Sequence, residues 1–395
     1  MRYAERMPAL GAPSVAAASS SSAIGARAGA LCVEPWLWSA RRDLALFGGS
    51  TLAALLVVAL GHALGVAGGP LPEWAFIVFV LGVDVAHVYA TLYRSYLDRT
   101  ELRARPARYV LTPLFAYAAA AAAFSAGALV FWRGLAYLAL FHFVRQEIGW
   151  LRVQRAKAKT ARFDARLDEL ALYAGALYPV WVWHTAPSAR TFSWFVAGDF
   201  CALPAALCSL TGVVRGLWLL TLGAFALRQL WLLAARGVAR PLPWLIVAKT
   251  ALIWYVGIVL CNSDFDFTVT NVLAHGVPYF ALLWGYASEQ RQAKLPVLSA
   301  QLAGLGLVVS LLGLLGLAAV EEGLWDHFVN HEHAWLFGDG PELGAGALRW
   351  LVPLLAVPQL THYFLDARLW RSADTRRLPA QRRALGLPLP EGTSS

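Results

Sequence analysis

Apolar runs of about 20 residues, each closed by a short polar connection, recur along the chain from residue 44 to residue 367. Lipid offers the backbone no hydrogen-bond partner, so runs of this length must be helical. The pattern predicts an all-α fold, a polytopic transmembrane helical bundle of about ten spanning helices. Their expected positions are 44–66, 74–96, 109–131, 134–152, 168–185, 209–235, 243–261, 267–288, 297–319 and 347–367. Residues 1–42 are Ala/Ser-rich, lack the continuous apolar core of a secretory signal, and read as a disordered cytoplasmic tail. Residues 43–368 form the transmembrane domain, with an outer His-rich loop at 320–346, and residues 369–395 read as a basic cytoplasmic tail.

Charge orients this scheme. The connections after the second, fourth, sixth and eighth helices carry Arg99 to Arg108, Arg152 to Arg166, Arg236 with Arg240, and Arg291 with Lys294. Only Arg133, Arg190, Arg215 and Arg349 fall on the other side, and Lys249 lies within a span. That opposite side collects Asp264, Asp266, Glu321, Glu322, Asp326, Glu332, Asp339 and Glu342. A basic bias of this kind marks the cytoplasmic face, so both termini are expected there. The expected location is a cell inner (plasma) membrane, and the excess of Arg over Lys suits a bacterium.

Composition agrees. Of 395 residues 58% are hydrophobic and 14% charged, against about a quarter charged in a soluble domain. The net charge of +9 does not indicate nucleic acid, because the cations sit in the connections as topology determinants. Cys32, Cys201, Cys208 and Cys261 show neither metal-type spacing nor a disulfide framework.

The candidate chemistry lies in polar residues within the spans, where each charged group costs about 2.5–3.5 kcal/mol to insert. On the second helix Asp84, His87, Thr91, Arg94 or Ser95, and Asp98 follow helical steps along one stripe. The fourth carries His142, Arg145, Gln146 and Glu147. On the eighth, Asn271, His275 and Tyr279 stand at i, i+4, i+8, beside Gly276 and Pro278, which weaken the local helix. The tenth presents Gln359, His362 and Asp366. Each row alone is equally well a polar seam between helices. Together they gain weight, since all four helices run in one direction and their histidines fall at comparable depths. Asp84, His87, His142, His275, His362 and Asp366 are therefore the candidate metal ligands, suited to iron, one or two ions, or zinc. Arg145, Glu147 and Tyr279 are the candidate catalytic groups, and Arg94 and Arg145 lie where they would hold a lipid phosphate or a carboxylate. His62 and His184, at outer helix ends, read as interfacial histidines. His327 and His331, at i, i+4 in the outer loop, form a weaker zinc candidate, and Lys249 reads as the neutraliser of a buried carboxylate.

The stretches AHVYATLYRSYLD, FHFVRQEIGW and THYFLDARLW resemble an uncharacterised bacterial family of multipass membrane proteins, to which no activity is attached. The clustered HxxHH boxes of membrane desaturases and hydroxylases are missing, and no stretch matches the histidine motifs of membrane carotenoid oxygenases. Three functions are thus expected in order: a membrane-embedded metal-dependent enzyme, in particular an oxidoreductase, acting on a lipid or other apolar substrate; a structural or assembly protein; and a proton-coupled transporter. Membrane lipid is the expected partner.

Overall fold

The computed structural model describes residues 31–185, 193–369 and 379–387, and is 80% helical with almost no strand. Arg190 and most of both predicted tails lie outside the described residues. The bundle is built from α1 (Ala40–Ala63), α2 (Glu73–Arg94), α3 (Pro106–Ala126), α4 (Ala128–Ala158), α5 (Arg162–Thr185), α6 (Thr211–Arg236), α7 (Pro241–Leu260), α8 (Asp264–Gln292), α9 (Leu307–Asn330), α10 (Ala345–Leu355) and α11 (Val357–Leu369). Seven of these, α1 to α4, α6, α7 and α9, are long and apolar enough to cross a membrane. The remaining predicted spans are also helical, as the more polar α5 and α8 and as the α10–α11 pair, whose two pieces of 11 and 13 residues are each short. Large apolar side chains such as Leu56, Leu114, Phe115, Leu220, Leu227 and Val308 stand exposed on the outside. An aqueous protein rarely shows apolar surface on that scale, whereas a lipid-facing one requires it.

Helix boundaries moved where glycine or proline decides them. The break between α3 and α4 falls at Gly127, whose φ of 148° is open to glycine alone, rather than at 131–134. Gly306, at φ 99°, starts α9 ten residues later than predicted. Residues 320–330, placed in the outer loop above, therefore extend α9, and Glu321 lies buried beside Tyr89 and Trp325. The expected 347–367 helix is divided at Ala356, two residues before Pro358, which has no N–H to offer Leu354.

Residues 31–42, assigned above to the tail, are packed. Cys32–Val33 (β1) pairs in parallel with Val238–Ala239 (β2), and Leu37 is buried. The Asp43 carboxylate accepts from the backbone N–H of Leu37 and Trp38, while Lys157 donates to the carbonyls of Trp36 and Leu37. A short helix at Pro379–Ala384 lies against α8, where the Ala384 carbonyl accepts from the Trp38 indole.

α8 is the central helix, lying against α1, α2 and α7. α11 packs against α2, α3 and α4, so α2, α4, α8 and α11 bring their inner faces together. α2 is not a uniform helix. It runs as π-helix over Phe76–Val85, α-helix over Ala86–Ala90 and 3-10 helix over Thr91–Arg94. Such changes of pitch within one helix recur at functional positions, because they re-aim side chains that a regular helix would hold on fixed faces.

Candidate metal centre

His87 on α2, His142 on α4, His275 on α8 and His362 on α11 meet in the centre of the bundle, each no more than 5% exposed. Their Nε2 atoms face inward in two close pairs, His275 to His87 at 3.3 Å and His362 to His142 at 3.1 Å. Ring centroids around the quartet lie 4.8 Å apart for His87–His275, 5.1 Å for His275–His142, 4.7 Å for His142–His362 and 4.9 Å for His362–His87. His87, His142 and His362 each offer a nitrogen within 4.8 Å of the other two. This buried triad can hold a metal ion.

Two features carry His275 into the cluster. Gly276 lies against α2, where a Cβ would stand 2.6 Å from Val83 Cγ1, so only glycine admits this approach without displacement. Pro278 then leaves the Ala274 carbonyl without its intrahelical donor. Lys249 Nζ supplies one at 3.1 Å and also meets Glu147 Oε1 at 2.7 Å. Gln146 Nε2, one turn from His142, donates to the His275 carbonyl at 2.9 Å. Phe143 stacks on the His275 ring at 3.8 Å, and Tyr363 on His142 at 4.6 Å. His275 is thus held by its anchored backbone and an aromatic face, and His142 by an aromatic face.

The outer nitrogens are treated differently. His362 Nδ1 shares a hydrogen bond of 2.6 Å with Thr91 Oγ1, which in turn meets the Tyr279 hydroxyl at 2.8 Å. His87 Nδ1 lies 3.7 Å from Asp84 Oδ1, beyond hydrogen-bond range. Buried Nδ1 of His87 and of His275 makes no hydrogen bond among the described residues. Between neutral imidazoles each close Nε2 pair is a hydrogen bond, one ring's N–H donating to the other's lone pair, so the buried Nδ1 atoms of His87 and His275 are the ones left open. The Nε2 separations also match two ligands of one ion. Two nitrogens bound at about 2.0–2.1 Å in tetrahedral geometry lie about 3.3 Å apart.

The other predicted residues are placed as follows. Glu147 is buried in its ion pair with Lys249, so Lys249 does meet a carboxylate, but Glu147 touches none of the histidines directly. Arg145 Nη1 donates to the Tyr173 hydroxyl, with its guanidinium near the Phe141 ring, away from the quartet. Asp366 lies half-buried one turn beyond His362 and is not part of the ligand triad. Arg94 is wholly buried beside Glu101 at 3.3 Å, so its guanidinium faces a carboxylate of the protein instead of a lipid headgroup. His184 accounts for both ring nitrogens with Tyr137 and the Val180 carbonyl. His327 and His331 join no group of three ligand atoms among the described residues. Thr91 and Gln146 are the contributors that residue type alone did not single out as supports for the histidines. Their positions in the rows of His87 and His142 were the available signal.

A groove of about 220 Å³ touches the quartet at His362. Val88, Leu92, Tyr96, Pro113, Val357 and Leu365 line it together with Thr91 and Thr361. Its walls are almost wholly apolar, and they belong to α2, α3 and the α10–α11 junction.

A scan against protein-family models, a search of the curated proteins and a search of the solved structures each found no match.

Proposed function

We propose that this chain is a membrane-embedded metal-dependent enzyme, an oxidoreductase acting on a lipid or other apolar substrate. The reading is carried by one observation: four helices each deliver a single histidine, and the four Nε2 atoms approach in pairs of 3.1 and 3.3 Å. Four imidazoles without a thiolate suit iron or zinc among the metals available to a cell. The bound ion would supply Lewis acidity or, as iron, one-electron chemistry. His87, His142, His275 and His362 would hold it, Asp84 places a carboxylate beside His87, and Thr91 with Tyr279 fixes the outer face of His362. Lys249, Glu147 and Gln146 act one layer further out by fixing the backbone of His275. The apolar groove favours a substrate that enters from the lipid, with its reacting end beside Thr361 and His362. Arg145, nearer the basic face, remains in position to receive a headgroup, and the termini are taken as cytoplasmic from the charge bias.

Metal analysis of the purified full chain tests this reading. The wild type should carry close to one equivalent or more of iron or zinc, and His142→Ala should fall below about a tenth of that. Metal content indifferent to His142 and His362 would refute it. The buried Lys249–Glu147 pair also suits proton coupling. Flux into proteoliposomes that follows an imposed pH gradient, with no bound metal, would favour a transporter instead.

A further inference from the structure

A second group of ligand atoms lies at the opposite end of α8 from its basic terminus, and it stands independently of the histidine quartet. His62 closes α1, Cys261 follows the π-helical last turn of α7 (Tyr255–Leu260), and Asp266 sits in the first turn of α8. Their ligand atoms all fall within 4.8 Å of one another. His62 Nε2 is 3.1 Å from Asp266 Oδ2, which also accepts from the Ser263 hydroxyl at 2.8 Å. Asp266 is wholly buried, yet its second oxygen, Oδ1, has no hydrogen-bond partner among the described residues. A buried carboxylate oxygen left in this way is costly. A surface ion pair with a half-exposed histidine leaves that cost standing. Cys261 is a thiol rather than half of a disulfide.

We propose that His62, Cys261 and Asp266 form a binding site for a zinc-class divalent cation at the end of the bundle opposite the basic connections. One imidazole, one thiolate and one carboxylate are a borderline donor set of the kind zinc takes. The buried side of the site is fixed by Asp266 and Ser263. The open side is His62, whose side chain is 50% exposed and so has room to close the last ångström onto an ion. No fourth protein ligand joins these three among the described residues. Three protein ligands with an open position make an exchangeable site rather than a closed structural one. The ion would tie the end of α1 to the α7–α8 corner, where Gly61 already packs against the Phe265 ring.

Cobalt separates this site from the quartet, because only a thiolate ligand gives an ultraviolet thiolate-to-cobalt charge-transfer absorption. The full chain in detergent is titrated with Co²⁺ after Cys32, Cys201 and Cys208 are changed to Ser, leaving Cys261 as the one cysteine. The absorption should appear with about one equivalent, vanish in Cys261→Ser, and need at least about tenfold more cobalt in His62→Ala and Asp266→Asn. It should persist in His142→Ala, which removes the quartet instead. His62→Ala alters only a half-exposed side chain, so a folded variant is assured of a reading even if Asp266→Asn misfolds. Absence of the absorption with Cys261 present would overturn the proposal. Its survival at unchanged affinity in His62→Ala would also overturn it.

Discussion

Two buried polar regions meet on α2, one turn apart, and they are built on opposite plans. Beyond the helix end, Arg94 faces Glu101 at 3.3 Å, the Tyr109 hydroxyl donates to Glu101 at 2.9 Å, and Arg105 pairs with it at 2.7 Å. Tyr286 and Gln290 donate to Asp98 at 2.5 and 2.8 Å, and Ser299 donates to Gln290 Oε1 at 2.5 Å. Here acids meet bases, and acceptors meet donors of the same chain. The histidine quartet gathers like groups instead: its Nε2 atoms pair with one another, and Nδ1 of His87 and of His275 makes no hydrogen bond among the described residues. A network of opposite charges is a device for holding helices. A buried cluster of imidazoles able to ligate is suited to an ion that arrives from outside. The contrast separates scaffold from site on one helix.

That contrast can be broken by substitution, beginning with the scaffold. Arg94→Ala removes the one wholly buried cation beside Glu101, which keeps Arg105 and the Tyr109 hydroxyl, and should cost about 1–3 kcal/mol in unfolding free energy. Metal bound per folded molecule should stay at the wild-type level. His142→Ala and His362→Ala should show the reverse. They lose metal by more than about tenfold, while unfolding of the metal-free forms shifts by no more than about 1–2 kcal/mol. Equal effects of both kinds of variant on both readings would erase the distinction.

Smaller changes sharpen it. Thr91→Val removes the hydroxyl between His362 and Tyr279 and should weaken metal binding about 10- to 100-fold in a competition titration, as loss of an orienting partner does. Gly276→Ala pushes a methyl toward Val83 and should cost about 1–3 kcal/mol, with metal affinity reduced as His275 is displaced. Val83→Ala in the same chain should restore much of both. The smallest effect concerns pH. Burial alone would raise Glu101, but Arg94, Tyr109 and Arg105 outweigh it and hold the carboxyl below its ordinary value of 4.5. A lowered folded-state value means that Glu101 stabilises the fold above about pH 4.5 and loses that contribution as pH falls through the folded-state value. The stability gap between wild type and Glu101→Gln should therefore narrow on acidification from pH 6 to pH 3, scanned at about unit steps. A constant gap would show that the acid is not held charged by its neighbours.

Much of this was legible in the residues. The apolar runs located the helices, and the rows on α2, α4, α8 and α11 named His87, His142, His275 and His362 through helical spacing alone. What spacing could not carry was any feature that depends on pitch or on a partner from a distant element. Regular spacing put Asp84, His87, Thr91, Arg94 or Ser95, and Asp98 on one stripe. The π-to-3-10 change along α2 instead divides them, with Asp84, His87 and Thr91 toward the histidine quartet and Arg94 and Asp98 toward Glu101, Tyr286 and Gln290. Asp366 keeps its step from His362 on α11 but lies one turn further along the helix and does not join the ligand triad. His62 read as an isolated interfacial histidine, since Cys261 and Asp266 approach it only through the α7–α8 corner. The two-residue pairing of Cys32–Val33 with Val238–Ala239 is too short to leave any periodic signal.

X-ray absorption at the metal edge of the purified full chain tests the central claim most directly. The account predicts a first shell of about four nitrogens, at about 2.0–2.1 Å for zinc, with the multiple-scattering signature of imidazole, lost in His142→Ala. A first shell of oxygen or sulfur donors, or an imidazole shell unchanged by that substitution, would contradict it.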